Sequence, residues 1–162
     1  MARHAKSPDR PIDEFDRAIL RILQQDNRTP QRTIGQAVNL SAAAVQRRIA
    51  AMELAGVIRA NVALVDHDAL SLAITAIVEV LLRDERADTV DRAKALFSAT
   101  PEVQQCYYVT GGVSFMLIII APDMRVYEGL TRRLFAENDL VASYRTLVAL
   151  DRVKAAMTVV VP

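Results

Sequence analysis

Apolar residues recur at three- and four-residue spacings in the front part of the chain and in alternating or unbroken runs further on, so the period itself divides the sequence. Ile12, Phe15, Ile19, Ile22 and Leu23 make one stripe with Arg17, Arg21 and Gln24 opposite, which predicts an amphipathic helix starting at Asp13. Asp13 suits its N-cap and Asp16 its first turn, where carboxylates meet unpaired amides. The run Asp26-Asn27-Arg28-Thr29-Pro30 stops that helix. Thr29 followed by Pro30 has the cap-then-first-turn chemistry of a second helix, running to about Val38. Asn39 tolerates left-handed backbone, Leu40 can plug a tight corner, and Ser41 can cap a third helix from Ala42 to about Leu54, closed by Gly56. Gly35, inside the second helix, would let the third cross closely. Val57, Ile58, Val62, Leu64 and Val65 alternate as a short extended ribbon would, in a wing or an interdomain connector.

From Leu72 onward, β-branched runs alternate with helical stripes. Strands are expected over Leu72–Leu82, Val103–Thr110, Phe115–Ala121, near Tyr144–Leu150 and over Met157–Val161. Helices are expected over Asp88–Ser98, with Val90, Ala93, Leu96 and Phe97 inward, and over Asp123 to about Ala136, with Met124, Tyr127, Leu130 and Leu134 on one stripe. The order βαββαβ with a trailing strand is the split ferredoxin-like arrangement. The expected domains are an arm at 1–11, a helix-turn-helix at 12–58, a ribbon or hinge at 59–71 and an αβ domain at 72–162.

Composition narrows the class. At 162 residues, with 52% hydrophobic and 24% charged residues and only 5 Gly and 6 Pro, the chain is a globular protein rather than a disordered or fibrous one. Its single cysteine, Cys106, excludes a disulfide framework and a multi-cysteine zinc site. The charged, proline-punctuated start, MARHAKSPDRPI, is not expected to be a secretory signal. The longest apolar run, Phe115–Ala121, is far shorter than the roughly 20 residues a membrane helix needs. A cytoplasmic protein is therefore expected. Net charge is only +1, yet residues 1–65 hold 10 Lys/Arg against 6 Asp/Glu, while the remainder holds 10 against 13. The positive half is the one with the three short helices, where a phosphate backbone would be attracted.

The third helix carries the candidate chemistry. On a wheel at 100° per residue, Val45, Ile49 and Met52 share one side, and Ala43, Arg47 and Ala50 lie opposite, flanked by Gln46 and Arg48. Small residues let a helix approach the major groove while longer ones reach bases and phosphates. Arg47 can pair bidentately with guanine and Gln46 with adenine. Arg48, nearer the core edge, suits a phosphate, as do Arg28, Arg32 and the amide end of the helix capped by Ser41.

On these residues the chain resembles the Lrp/AsnC, or feast/famine, family of transcriptional regulators. The likeness runs from about Ile12 to the end. It is carried by Ile12-Asp13 with Asp16 and Ile19-Leu20, by Leu40-Ser41 leading through Arg48-Ile49 to Gly56-Val57-Ile58, and by Pro122-Asp123-Met124 with Tyr127. The resemblance implies an α+β fold, a winged helix-turn-helix joined by a β-ribbon to a ferredoxin-like αβ sandwich. It also implies sequence-specific binding of double-stranded DNA, homodimers formed by sheets packed face to face, commonly assembled into octamers, and an amino acid effector in the C-terminal domain. The strands Ile74–Leu82 and Phe115–Ala121 agree with the assembly, because two helices can cover only one sheet face. The effector site implied comprises Tyr108, Thr110, Gly111, Gly112, Val113 and Ser114. There the family's loop typically reads Gly, Asp, any residue, Asp, whereas this chain has Gly111-Gly112-Val113-Ser114. Without those carboxylates a ligand's ammonium loses its charge partner, so a non-classical effector, or none, is expected. Ala60-Asn61 also departs from the family's usual Gly and Tyr.

A haem-pathway decarboxylase on the same fold is the rival. It would need cationic and imidazole groups around a tetrapyrrole, and the chain has only His4 and His67. His67, between Asp66 and Asp68 but not at ligand spacing, reads as a solvated turn rather than a metal site. Cys106 reads as a small core hydrophobe. No nucleophile-base pair or phosphate loop stands out. No catalysis, cofactor or metal is expected.

Overall fold

The structure, a computed structural model, describes residues 11–162 and resolves them into two compact units. One comprises the residues up to Leu64 together with Ala155–Pro162, and the other is Val65–Lys154. The arm expected at 1–11 lies, apart from Pro11, outside the described residues.

In the first unit, α1 spans Glu14–Leu23, α2 Gln31–Val38 and α3 Ala42–Leu54. Asp13 caps α1 in a reciprocal box with Asp16: each side chain accepts the other's backbone N–H, at 2.9 and 3.3 Å. The second cap differs from expectation. Pro30 occupies the N-cap of α2, and the Thr29 hydroxyl donates instead to the Asp26 carbonyl at 2.8 Å. Asn39 takes the left-handed conformation at φ 55°, turning the chain sharply enough that a Cβ on Gly35 would stand 2.5 Å from the Leu40 carbonyl oxygen. Only glycine fits there. The Ser41 hydroxyl accepts the Ala44 N–H at 3.2 Å and Gly56 closes α3 at φ 73°. Ile19, Ile34, Val38, Val45 and Met52 form the core. Phe15, expected on the buried stripe, is 44% exposed, with its ring 5.3 Å from the Arg48 guanidinium.

Two expected strands do not form. Residues 59–66 have no regular structure, and neither does the segment 155–162. Alternation marks which residues could share a face, but a strand also needs a neighbour to receive its N–H and C=O groups. The tail finds a substitute on α1. Gln24 donates its side-chain amide to the Val159 carbonyl at 3.0 Å and accepts the Val159 N–H at 2.8 Å, doing for one residue what a paired strand would do. Arg21 donates to the carbonyls of Val161 and Pro162 at 3.3 and 2.9 Å. In the structure Ala155–Pro162 packs as part of the first compact unit.

The second unit begins with a short 3-10 turn at Asp68–Leu70 and continues as β1 Ile74–Leu82, α4 Ala87–Ala99, β2 Val103–Tyr108, β3 Phe115–Ala121, α5 Met124–Thr131 and β4 Val141–Val148. A wider π turn, Arg132–Ala136, extends α5. The sheet has the order β2-β3-β1-β4 and every pairing is antiparallel, as the expected βαββαβ topology requires. One face, with Ala76, Val78, Val80, Phe115, Leu117 and Ile119, packs under Val90, Ala93, Phe97, Tyr127, Leu130 and Leu134 of the helical layer. Met124, expected inward, is half exposed. Strand alternation puts Ile77, Leu81, Met116, Ile118, Ile120 and Leu147 on the opposite face, where Glu79 pairs with Arg145 at 2.8 Å. All six remain partly or largely exposed.

Candidate functional site

Helix α3 is a one-sided object. Val45 and Met52 are buried, whereas Ala43, Gln46, Arg47 and Ala50 are exposed. The side chains of Gln46 and Arg47 make no hydrogen bond or ion pair among the described residues, so one amide and one guanidinium stand free beside the exposed Ala43 and Ala50. Arg28 and Arg32 are exposed too, at the approach to α2 and in its first turn. The Ser41 hydroxyl is committed to the cap, which leaves the helix start presenting its remaining amides outward.

Arg48 departs from its expected phosphate role. It sits about 60° around the wheel from Val45, and at that angle its side chain turns inward, only 18% exposed. The guanidinium lies between the two carboxylates of the α1 cap, 2.8 Å from Asp13 and 2.8 Å from Asp16, and Asp16 is itself 2% exposed. The Asp13 hydrogen bond, then that from Asp16, holds Arg48 even more firmly protonated than usual. Arg48, at the edge of the exposed surface of α3, is thus the tie between α3 and the start of α1. This explains physically why Asp13, Asp16 and Arg48 occur together, which helical spacing alone could not reveal.

In the second unit the loop between β2 and β3 bears Thr110, Gly111 and Gly112 exposed, both glycines at positive φ, 112° and 98°. The N–H groups of Val109 and Ser114 bond to Ser114 and Val80 carbonyls, while those of 110–113 bond to nothing among the described residues. Ser114 is buried, and its hydroxyl accepts the Leu82 N–H at 3.0 Å. It donates to Glu85, whose other carboxylate oxygen accepts the Tyr108 phenol at 2.8 Å. That bond raises the Tyr108 phenol above its ordinary range. The Tyr108 ring also packs on Phe115 at 5.2 Å and under the Lys94 ammonium at 4.8 Å. Sequence reasoning missed Glu85. It lies 29 residues before Ser114 in a charged turn that gives no motif signal.

The remaining residues of interest are structural. His67 Nδ1 meets the Arg152 guanidinium at 2.9 Å, and Arg152 also reaches Thr75 and Asp68, so this imidazole ties two loops of the unit together. No cluster of three or more potential metal ligands occurs among the described residues. Cys106 packs against the core, and burial pushes its thiol up and away from reactivity. No helix among the described residues is long and apolar enough to cross a membrane.

Comparison with known proteins covers both units. Residues 12–53 match the AsnC-type helix-turn-helix domain, and residues 75–159 match the Lrp/AsnC ligand binding domain. A helix-turn-helix-type transcriptional regulator of Sinorhizobium fredii is 43% identical over 91% of this chain and 88% of its own. The leucine-responsive regulatory protein of Salmonella typhimurium is 28% identical over 99% and 98%. Among solved structures, an AsnC family regulator from Agrobacterium tumefaciens superposes with a TM-score of 0.84 at 30% identity, covering 91% of this chain and 95% of that one. A Neisseria meningitidis regulator, solved as a complex with L-Met, gives 0.84 at 25% identity over 92% and 96%. These relatives are transcriptional regulators and not enzymes, and nothing among them supports a decarboxylase. With an AsnC-type helix-turn-helix on the first unit and the αβ ligand binding domain on the second, the chain belongs to the Lrp/AsnC family of helix-turn-helix, DNA-binding transcriptional regulators.

Proposed function

We propose that α3 enters the major groove of double-stranded DNA with Gln46 and Arg47 on base edges, Ala43 admitting the backbone, and Arg28, Arg32 and the Ser41-capped helix start on phosphates. One observation carries this reading: Gln46 and Arg47 are the polar side chains exposed on the outward side of α3 around Ala43 and Ala50, and they have no partner among the described residues. Arg48 is left out of this reading, because its Nη1 is held by Asp13 and Asp16 and its side chain is only 18% exposed.

The chain acts as a homodimer or a higher oligomer such as an octamer, assembled through the sheet face bearing Ile77, Ile118 and Ile120, in the cytoplasm where its operator DNA lies. An amino-acid-like effector binds around Tyr108, Thr110, Gly111, Gly112, Val113 and Ser114. The L-Met complex of the Neisseria relative and the match to a ligand binding domain support the class of ligand. Regulation then couples ligand occupancy to assembly and so to the spacing of paired recognition helices.

A gel shift against the chain's own upstream region, run at two salt concentrations beside a random duplex of equal length, tests the first part. Tighter binding to the upstream duplex that persists at the higher salt is expected. Equal binding to both would remove sequence-specific reading from the picture.

A further inference from the structure

The β2–β3 loop has no acidic residue of its own, yet a carboxylate stands at it. Glu85, from the turn between β1 and α4, receives the Ser114 hydroxyl on one oxygen and the Tyr108 phenol on the other. Both donors are neutral. Ser114 is held in place in turn, since it is buried and accepts the Leu82 N–H. Two hydroxyls use about half of the lone-pair sites a carboxylate offers. Glu85 makes no ion pair among the described residues, and Lys94, the nearby cation, sits over the Tyr108 ring instead. The outcome is an exposed carboxylate held in orientation by two neutral hydroxyls and with no ion-pair partner among the described residues.

The group it fits is an ammonium, which has three N–H donors and would supply the missing charge. The loop between those two donors, Tyr108 and Ser114, carries the N–H groups of 110–113, unbonded among the described residues and set on an exposed Gly-Gly turn. Amide donors beside a lone carboxylate complement a ligand that carries a carboxylate and an ammonium on one short scaffold.

We propose that Glu85 is the anionic contact for the α-ammonium of an amino acid effector bound at the 110–114 loop, standing in for the acid that Ser114 does not provide. This rests on the reading of that loop as the effector site. On this proposal the ammonium keeps a charge partner although the loop has no acidic residue: the carboxylate comes from another element, with Ser114 as its support.

The test uses the full chain and calorimetry with each of the twenty common amino acids, followed by the 2-hydroxy acid analogue of whichever binds. The wild type is expected to bind at least one amino acid stoichiometrically and to favour it over the hydroxy acid by about tenfold or more. Glu85→Gln, which preserves size and hydrogen bonding, is expected to bind the amino acid about tenfold more weakly and to lose the preference over the hydroxy acid. Adding Ser114→Asp to Glu85→Gln is expected to restore both. If no amino acid binds the wild type, the effector reading falls and the proposal with it. If the wild type binds and Glu85→Gln retains both affinity and preference, the effector reading stands and the role of Glu85 is overturned.

Discussion

The two units of this chain solve opposite problems. In the first, the framework is complete within one chain: Asp13 and Asp16 cap α1, Arg48 locks α3 onto that cap, Gly35 lets the corner close, and the core residues are all local. Its outward face can therefore be read directly, because Gln46 and Arg47, exposed and without a partner among the described residues, are the ones proposed to meet DNA. In the second, the framework is incomplete. Helices cover one side of the sheet and leave a row of isoleucines on the other, while the chemistry at the β2–β3 loop is gathered from Glu85, Tyr108 and Ser114 on separate elements. A surface finished within the chain points outward to DNA. A surface unfinished within the chain is the one proposed to meet another copy.

The largest expected effect breaks the contrast at the sheet. Ile118→Asp puts an unpaired carboxylate in the middle of the open face, where burial against a second copy costs several kcal/mol. The concentration for half-assembly is expected to rise about a thousandfold, leaving a monomer in light scattering at concentrations where the wild type is expected to be a dimer or larger. Unchanged assembly would mean that copies meet elsewhere. Second is Arg48→Ala. It takes the counter-charge from the buried Asp16 carboxylate and is expected to cost about 3 kcal/mol of stability in the first unit, seen in a denaturant titration followed by circular dichroism. If Arg48 instead served mainly as a phosphate contact, stability would hold and the salt dependence of DNA binding would weaken, so the two roles separate in a pair of measurements.

Much of the first unit was legible because helical periodicity and caps are local. Asp13, Ser41, Asn39 and Gly56 each fixed a boundary within a few residues of where it acts, and the βαββαβ order followed from runs that can hardly be anything else. What escaped depends on distance along the chain. Arg48 and its carboxylates are separated by 32 and 35 residues, Gln24 and Val159 by 135, and Ser114 and Glu85 by 29. The wheel placed Arg48 at the edge of the core but could not show that two acids awaited it. Alternation in Met157–Val161 was real, yet whether it becomes a strand depends on a neighbour the pattern does not contain.

The smallest effects sharpen the distinction within the DNA-facing surface itself. Arg47, opposite the buried side of α3, is proposed to read a base edge, while Arg32, in the first turn of α2, is proposed to meet a phosphate. A base contact contributes only where its base is present. Arg47→Ala is accordingly expected to lower the preference for the upstream duplex over a random one by about tenfold, with little change in the salt slope beyond the loss of one charge. A phosphate contact contributes on every sequence through counterion release. Arg32→Ala should thus weaken both duplexes alike and reduce the slope of log affinity against log salt by about one unit. The comparison is made by fluorescence anisotropy at several salt concentrations, with both duplexes for both variants. If Arg47→Ala affected cognate and random duplexes equally, its guanidinium would belong with Arg32 on the backbone, and Gln46 would be left to read the groove.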